Sequence, residues 1–168
     1  MRGSDSGYAL GTSGSPQTTF EQAEYAIVVA DSEAKLKYEA DNAPLLDENL
    51  IEELRQSDAK FSREKMIFVT RDATGQIVWL EEGNKAAGLN HLKARGHIEQ
   101  LAKHFGIDEK AVSRVLRNVI RDGKLISNKL VNRGGRDGYE RKYEYDGKHI
   151  VLAAIGTNGF LVTAYPDD

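Results

Sequence analysis

Histidine, arginine, lysine and hydroxyl side chains recur at close spacing in the last hundred residues of this chain. His91, Arg95 and His97 lie within seven positions, Arg141 and Lys142 are adjacent in a tyrosine-rich stretch, and Thr163 and Tyr165 follow near the end. These residue types suit metal-free RNA cleavage. The 2′-hydroxyl attacks its neighbouring phosphate, a base removes the hydroxyl proton, and an acid protonates the leaving 5′-oxygen. Histidine fits either proton role because its reference pKa is about 6.5. Arginine or lysine stabilises the charge that builds at phosphorus.

Spacing sharpens the expectation. His91 and Arg95, four residues apart, share a helical face. His97 comes six residues after His91, so an unbroken helix turns it well away from that face. Both histidines reach one site only if Gly96 breaks the helix. His91 alone also suits a surface or cap role. His104 falls beside the helix stop at Gly106, where a cation favours a helix C-terminus, and His149 reads as a strand-edge residue. No two histidines have a metal-ligand spacing with carboxylates, so neither a metal site nor a cofactor is expected.

Arg141 and Lys142 point to opposite faces of a strand, so only one of them faces a given site. The alternation Tyr139, Arg141, Tyr143, Tyr145 is a fair surface for stacking bases, and equally an ordinary half-buried strand face. Thr163 and Tyr165 share one face of the last strand. Arg133 and Arg136 flank Gly134-Gly135 in a loop that fits no phosphate-loop pattern but offers two cations to a phosphate backbone.

The elements that carry these residues are legible. Residues 1–20 read as a flexible leader, and 21–64 as an acidic accessory segment holding a strand at 22–30 and a helix at 47–56. The expected catalytic core spans 65–168. It begins with a hairpin, residues 66–70 and 76–80 around Asp72-Ala73-Thr74-Gly75. Ile98, Leu101, Ala102 and Phe105 form a helical stripe, and Asp108 caps a second helix with Val112, Val115, Leu116, Val119 and Ile120 inward. Four strands follow, at 124–131, 139–145, 149–155 and 160–165. The predicted class is α+β, with helices packed on a four-stranded antiparallel sheet and a β-hairpin upstream.

Composition limits the partners. The chain has no cysteine, which removes disulfides, thiolate ligands and cysteine nucleophiles. Its apolar runs are too short to span a bilayer, and residues 1–16 lack the apolar stretch of a signal peptide. A cytoplasmic protein with no membrane partner is expected. Residues 1–64 carry six Lys/Arg against thirteen Asp/Glu, whereas 85–142 carry fourteen against six. The basic stretch suits a polyanion, although solvated helix faces explain such charge equally well.

A second reading is a winged helix-turn-helix at 98–145. Ala102, Gly106, Val112 and Val115 match its small and apolar positions. Ser113, Arg114, Arg117 and Asn118 would then face DNA, and the strands with Arg133 and Arg136 would form the wing.

Residues 83–168 also resemble the phage-associated members of the barnase–EndoU–colicin–RelE (BECR-type) nuclease superfamily, a set of toxin-type RNases. The resemblance rests on Gly88-Leu89-Asn90-His91-Leu92 with Arg95 and His97, on the stop at Gly106-Ile107, and on Tyr143 through Asn158-Gly159-Phe160-Leu161-Val162-Thr163-Ala164-Tyr165-Pro166. It implies metal-independent RNA cleavage by a domain of phage or mobile-element origin, with an immunity or antitoxin protein as partner. It further implies a catalytic His91, Arg141 or Lys142 as the phosphate cation, and Thr163 and Tyr165 as site residues. The family's second histidine would fall at Gly96, one residue before His97.

Overall fold

The computed structural model describes residues 32–37 and 39–167. The leader at 1–20 and the strand expected at 22–30 lie outside them. The chain divides into two compact units, Met1–Ala43 and Pro44–Asp168. In the first, residues 32–37 and 39–41 are helical, and Lys37 pairs with Asp41 at 2.8 Å.

The second unit is α+β, with helices ahead of a four-stranded antiparallel sheet and a hairpin that follows the first helix and precedes the rest. It opens with α1 (Glu48–Arg55), whose N-cap Asp47 accepts from the Asn49 and Leu50 amides. Strands β1 (Met66–Arg71) and β2 (Ile77–Glu81) form the hairpin. Helices α2 (Leu89–Ala94), α3 (His97–Phe105) and α4 (Val112–Asp122) follow. The sheet has the order β3 (Lys124–Arg133), β4 (Arg136–Tyr145), β5 (Lys148–Gly156), β6 (Ala164–Pro166).

The hairpin is buried on both faces, as its continuous apolar runs require. Phe68, Val78 and Leu80 join the main core, where Leu92, Leu101, Leu116 and Ile120 from the helices meet Tyr143, Ile150 and Leu152 from the sheet. Val69 and Trp79 pack on the other side with Ile51 and Leu54 of α1. A bulge between Met66 and Phe68 turns Met66 to that second side. The compact unit therefore begins at Pro44 and not at 65. Helix α1, expected in an accessory segment, is held by the buried apolar surface it shares with Trp79.

Two expected elements differ. The regular ladder with β5 runs over Ala164–Pro166, later than the strand expected at 160–165, although Phe160–Thr163 still bond to β5: Gly156 N donates to Phe160 O at 2.8 Å, and Val162 N to Ala154 O at 2.8 Å. The same stretch also bonds to the hairpin: Trp79 N donates to Gly159 O at 3.1 Å, and Leu161 N donates to Trp79 O at 2.9 Å. Gly159 permits this approach, because a Cβ there would stand 2.0 Å from the Ile77 oxygen. The glycine loop at 133–138 is instead a tight turn. Gly134 and Gly135 have φ of 60° and 82°, and strand pairing runs out to Arg133 and Arg136.

Candidate active site

The helix breaks at Gly96. Arg95 caps α2, and Gly96 adopts a left-handed conformation (φ 73°, ψ 12°) before α3 starts at His97. A side chain would strain that backbone, so the glycine suits the corner. The break removes the angular separation an unbroken helix would impose. The His91 and His97 rings come together edge to face, with centroids 6.2 Å apart.

Strand β6 supplies the other wall. Ile98, Leu101 and Ala102 of α3 share the main core with Ala164 of β6. Ala164 pairs with Leu152, and Ala153 N donates to Thr163 O at 3.0 Å. These contacts bring Thr163 and Tyr165 to the histidines. His97 Nδ1 lies 3.1 Å from Thr163 Oγ1, and its ring centroid is 5.8 Å from that of Tyr165. His91 Nδ1 donates to the Lys85 carbonyl at 2.7 Å. A carbonyl has no proton to give, so this bond leaves Nε2 as the nitrogen of His91 that exchanges one.

Electrostatics distinguish the two rings. His97 is held below the ordinary imidazole pKa of 6.5 by partial burial first, then by His91 and by Arg95. These influences all favour its neutral form. Arg95 itself is exposed at the corner. The site thus combines two imidazoles, two hydroxyls and a nearby guanidinium.

Arg141 is not part of this group. It is 2% exposed, and its guanidinium donates to Asp72 Oδ2 at 2.5 Å and to Asn128 Oδ1 at 3.1 Å, with its Cζ 4.5 Å from the Tyr139 ring centre. The role of phosphate cation expected for it is corrected: its charge is already spent inside the fold. Asp72, read from sequence as a turn residue, also accepts from the Thr74 amide and hydroxyl, the Gln76 amide and the Tyr143 hydroxyl. Burial, then the Asp72 carboxylate, drives the Tyr143 phenol far above its ordinary pKa.

Lys142 faces the other way, as adjacent strand residues must. It lies in one cross-strand row with Val151 and Tyr165, two strands from the tyrosine, a separation of roughly 10 Å at ordinary strand spacing. Its ammonium pairs with Asp167 at 2.7 Å, and hydrogen bonding to it pulls the Asp167 carboxyl down. Lys142 therefore shares the face of the site but flanks its centre. Arg133 pairs with Glu140 at 2.7 Å, and Arg136 is exposed beside the turn. His104 donates to the His149 carbonyl at 2.8 Å, joining a helix end to the sheet.

Two of the four side chains expected to face DNA, Arg117 and Asn118, lie inside the fold. Residues 116–120 of α4 are all buried. Arg117, only 3% exposed, donates to the Asn118 side chain and to the Pro44 carbonyl, and Arg114 is half-buried. Neither Arg117 nor Asn118 is therefore available to a base edge.

Sequence reasoning missed Asp72 as an anchor and the Lys85 carbonyl as the partner of His91. The first was hidden behind a hairpin signal. The second is a main-chain atom, which no residue type announces. The chain matches no known protein family and no curated protein. Among the described residues, no helix is long and apolar enough to cross a membrane.

Proposed function

We propose that this protein is a metal-independent endoribonuclease that cleaves RNA by attack of the 2′-hydroxyl. The observation that carries the reading is the convergence of His91 and His97 at 6.2 Å beside Thr163 and Tyr165. Two imidazoles at one corner can serve the two proton transfers of the reaction.

In this reading neutral His97 is the base. It takes the 2′-hydroxyl proton as the 2′-oxygen bonds to phosphorus. The bond from phosphorus to the 5′-oxygen breaks, and His91 Nε2–H gives that oxygen its proton. The products are a 2′,3′-cyclic phosphate and a 5′-hydroxyl. His91 can act as the acid without losing its orientation, since an imidazolium keeps the Nδ1–H bond to Lys85. Thr163 and Tyr165 position the phosphate, and Arg95 offsets the charge developing on it. The resemblance of residues 83–168 to toxin-type RNases points the same way. By that resemblance, a toxin domain of phage or mobile-element origin acts on cytoplasmic RNA and is restrained by an immunity protein.

The test is incubation of the chain with tRNA and total RNA in EDTA, beside His91→Ala and His97→Ala. Cleavage by the wild type alone, leaving 2′,3′-cyclic phosphate ends, supports the reading. RNA left intact by the folded wild type refutes it.

A further inference from the structure

Residues 83–88 form a small closed turn, and its effect is to aim one peptide group at His91. Asn84 N donates to Ala87 O at 2.9 Å. The Asn84 side-chain oxygen accepts from Ala86 N at 2.8 Å and from Ala87 N at 3.2 Å. The Ala86 N–H and the Lys85 C=O belong to the same planar trans peptide, so they point in opposite directions. Asn84 grips one side of that plane, and the other side meets His91 Nδ1 at 2.7 Å.

The turn is itself anchored. Gly88 N donates to Val162 O at 3.0 Å, immediately before Thr163. Asn90 donates from its amide to Glu82 O at 2.8 Å and from its side chain to Gly83 O at 3.2 Å. A Cβ on Gly83 would stand 2.0 Å from the Ala87 oxygen, so the turn closes too tightly for any other residue there.

We propose that Asn84 is a positioning residue for His91, fixing the tautomer of the imidazole through the Lys85 carbonyl. With that carbonyl in place, a neutral His91 carries its proton on Nδ1 and presents the Nε2 lone pair. The opposite tautomer would set a nitrogen lone pair against a carbonyl oxygen. Backbone carbonyls commonly orient working histidines in this way. The catalytic consequence rests on the ribonuclease reading, whereas the tautomer consequence does not.

Asn84 is exposed, so Asn84→Ala should fold. Asn84→Asp keeps an oxygen where the Ala86 and Ala87 amides need one. The tautomer is read by long-range proton–nitrogen NMR of His91 at about pH 8, where imidazoles are neutral. The wild type should show Nδ1–H, Asn84→Ala should lose that preference, and Asn84→Asp should restore it. Lys85→Ala, which retains the carbonyl, should leave the tautomer unchanged. In cleavage assays, Asn84→Ala should lower kcat by roughly 10- to 100-fold while changing KM much less, as misplaced catalytic groups do. Persistent Nδ1–H in Asn84→Ala overturns the proposal, whatever happens to the rate. A tautomer that shifts in a chain that never cleaves RNA would sustain the positioning role and discard the ribonuclease.

Discussion

The histidine corner and the arginine row share a fold but treat their polar groups in opposite ways. At the corner, His97 is partly buried, and its Nδ1 makes a single polar contact, with Thr163. In the row, Arg141 and Asp72 are nearly inaccessible, with side-chain exposures of 3% and 0%, and bonds to Asn128, Thr74, Gln76 and Tyr143 complete their shells. A group that is to exchange a proton with a ligand needs a nitrogen left over. A group that holds a hairpin to a sheet needs every bond made, because a buried unpaired charge is costly. The degree of saturation, more than residue type, separates the two roles.

That contrast can be broken by substitution. The largest effect expected is on cleavage: His91→Ala or His97→Ala should lose about 10²-fold or more in rate. Both variants should keep a melting temperature near that of the wild type. Rates close to wild type in folded variants would remove the histidines from the chemistry.

Arg141→Ala and Asp72→Ala should act in the opposite sense. Each strands a buried charge, which costs about 3–5 kcal/mol and lowers the melting temperature by about 10 °C or more. Thermal unfolding followed by circular dichroism would measure this. If Arg141→Ala kept its stability and lost only cleavage, the assignment of Arg141 to the core would fail.

A smaller effect is expected in the pH dependence. A base with a lowered pKa stays neutral as pH falls, so the acid limb of kcat/KM should lie below about 6.5. Burial is the main cause and His91 the next, with Arg95 third. Removing a positive charge makes protonation of His97 easier. Arg95→Gln should therefore move the acid limb upward while leaving it below the ordinary value. An unmoved limb would assign it to another group.

The smallest effect belongs to Lys142→Ala. An exposed pair such as Lys142–Asp167 contributes little to stability. As a flanking cation two strands from Tyr165, Lys142 should change RNA affinity by a few-fold at most and reduce the salt slope by less than about one. A loss as large as that of His91→Ala would place Lys142 at the reacting phosphate.

Much of the fold was legible before any coordinates. Asp47 announced the start of α1, Gly106 the end of α3, and Asp72-Ala73-Thr74-Gly75 the turn of the hairpin. The last strand follows β5 from Phe160 onward, but the bonds of Gly159 and Leu161 to Trp79 confine its regular ladder to Ala164–Pro166, which a uniformly β-forming sequence does not announce. The outward reading of Arg117 and Asn118 failed for a related reason. Helical periodicity marks a polar stripe, but it cannot report that the chain at Pro44 returns to meet that stripe.

By itself the sequence determined the α+β order, the turns, and the opposite facing of Arg141 and Lys142. It also set the condition that Gly96 must break a helix for two histidines to meet. Each of these depends on residues a few positions apart, where backbone sterics and side-chain periodicity act. The tertiary structure decided which cation is consumed and which histidine finds a hydroxyl. Those outcomes join Asp72 to Arg141 across 69 residues and His97 to Thr163 across 66. At such separations no local preference operates, and only the packing of hairpin, helices and sheet brings the partners within hydrogen-bond reach.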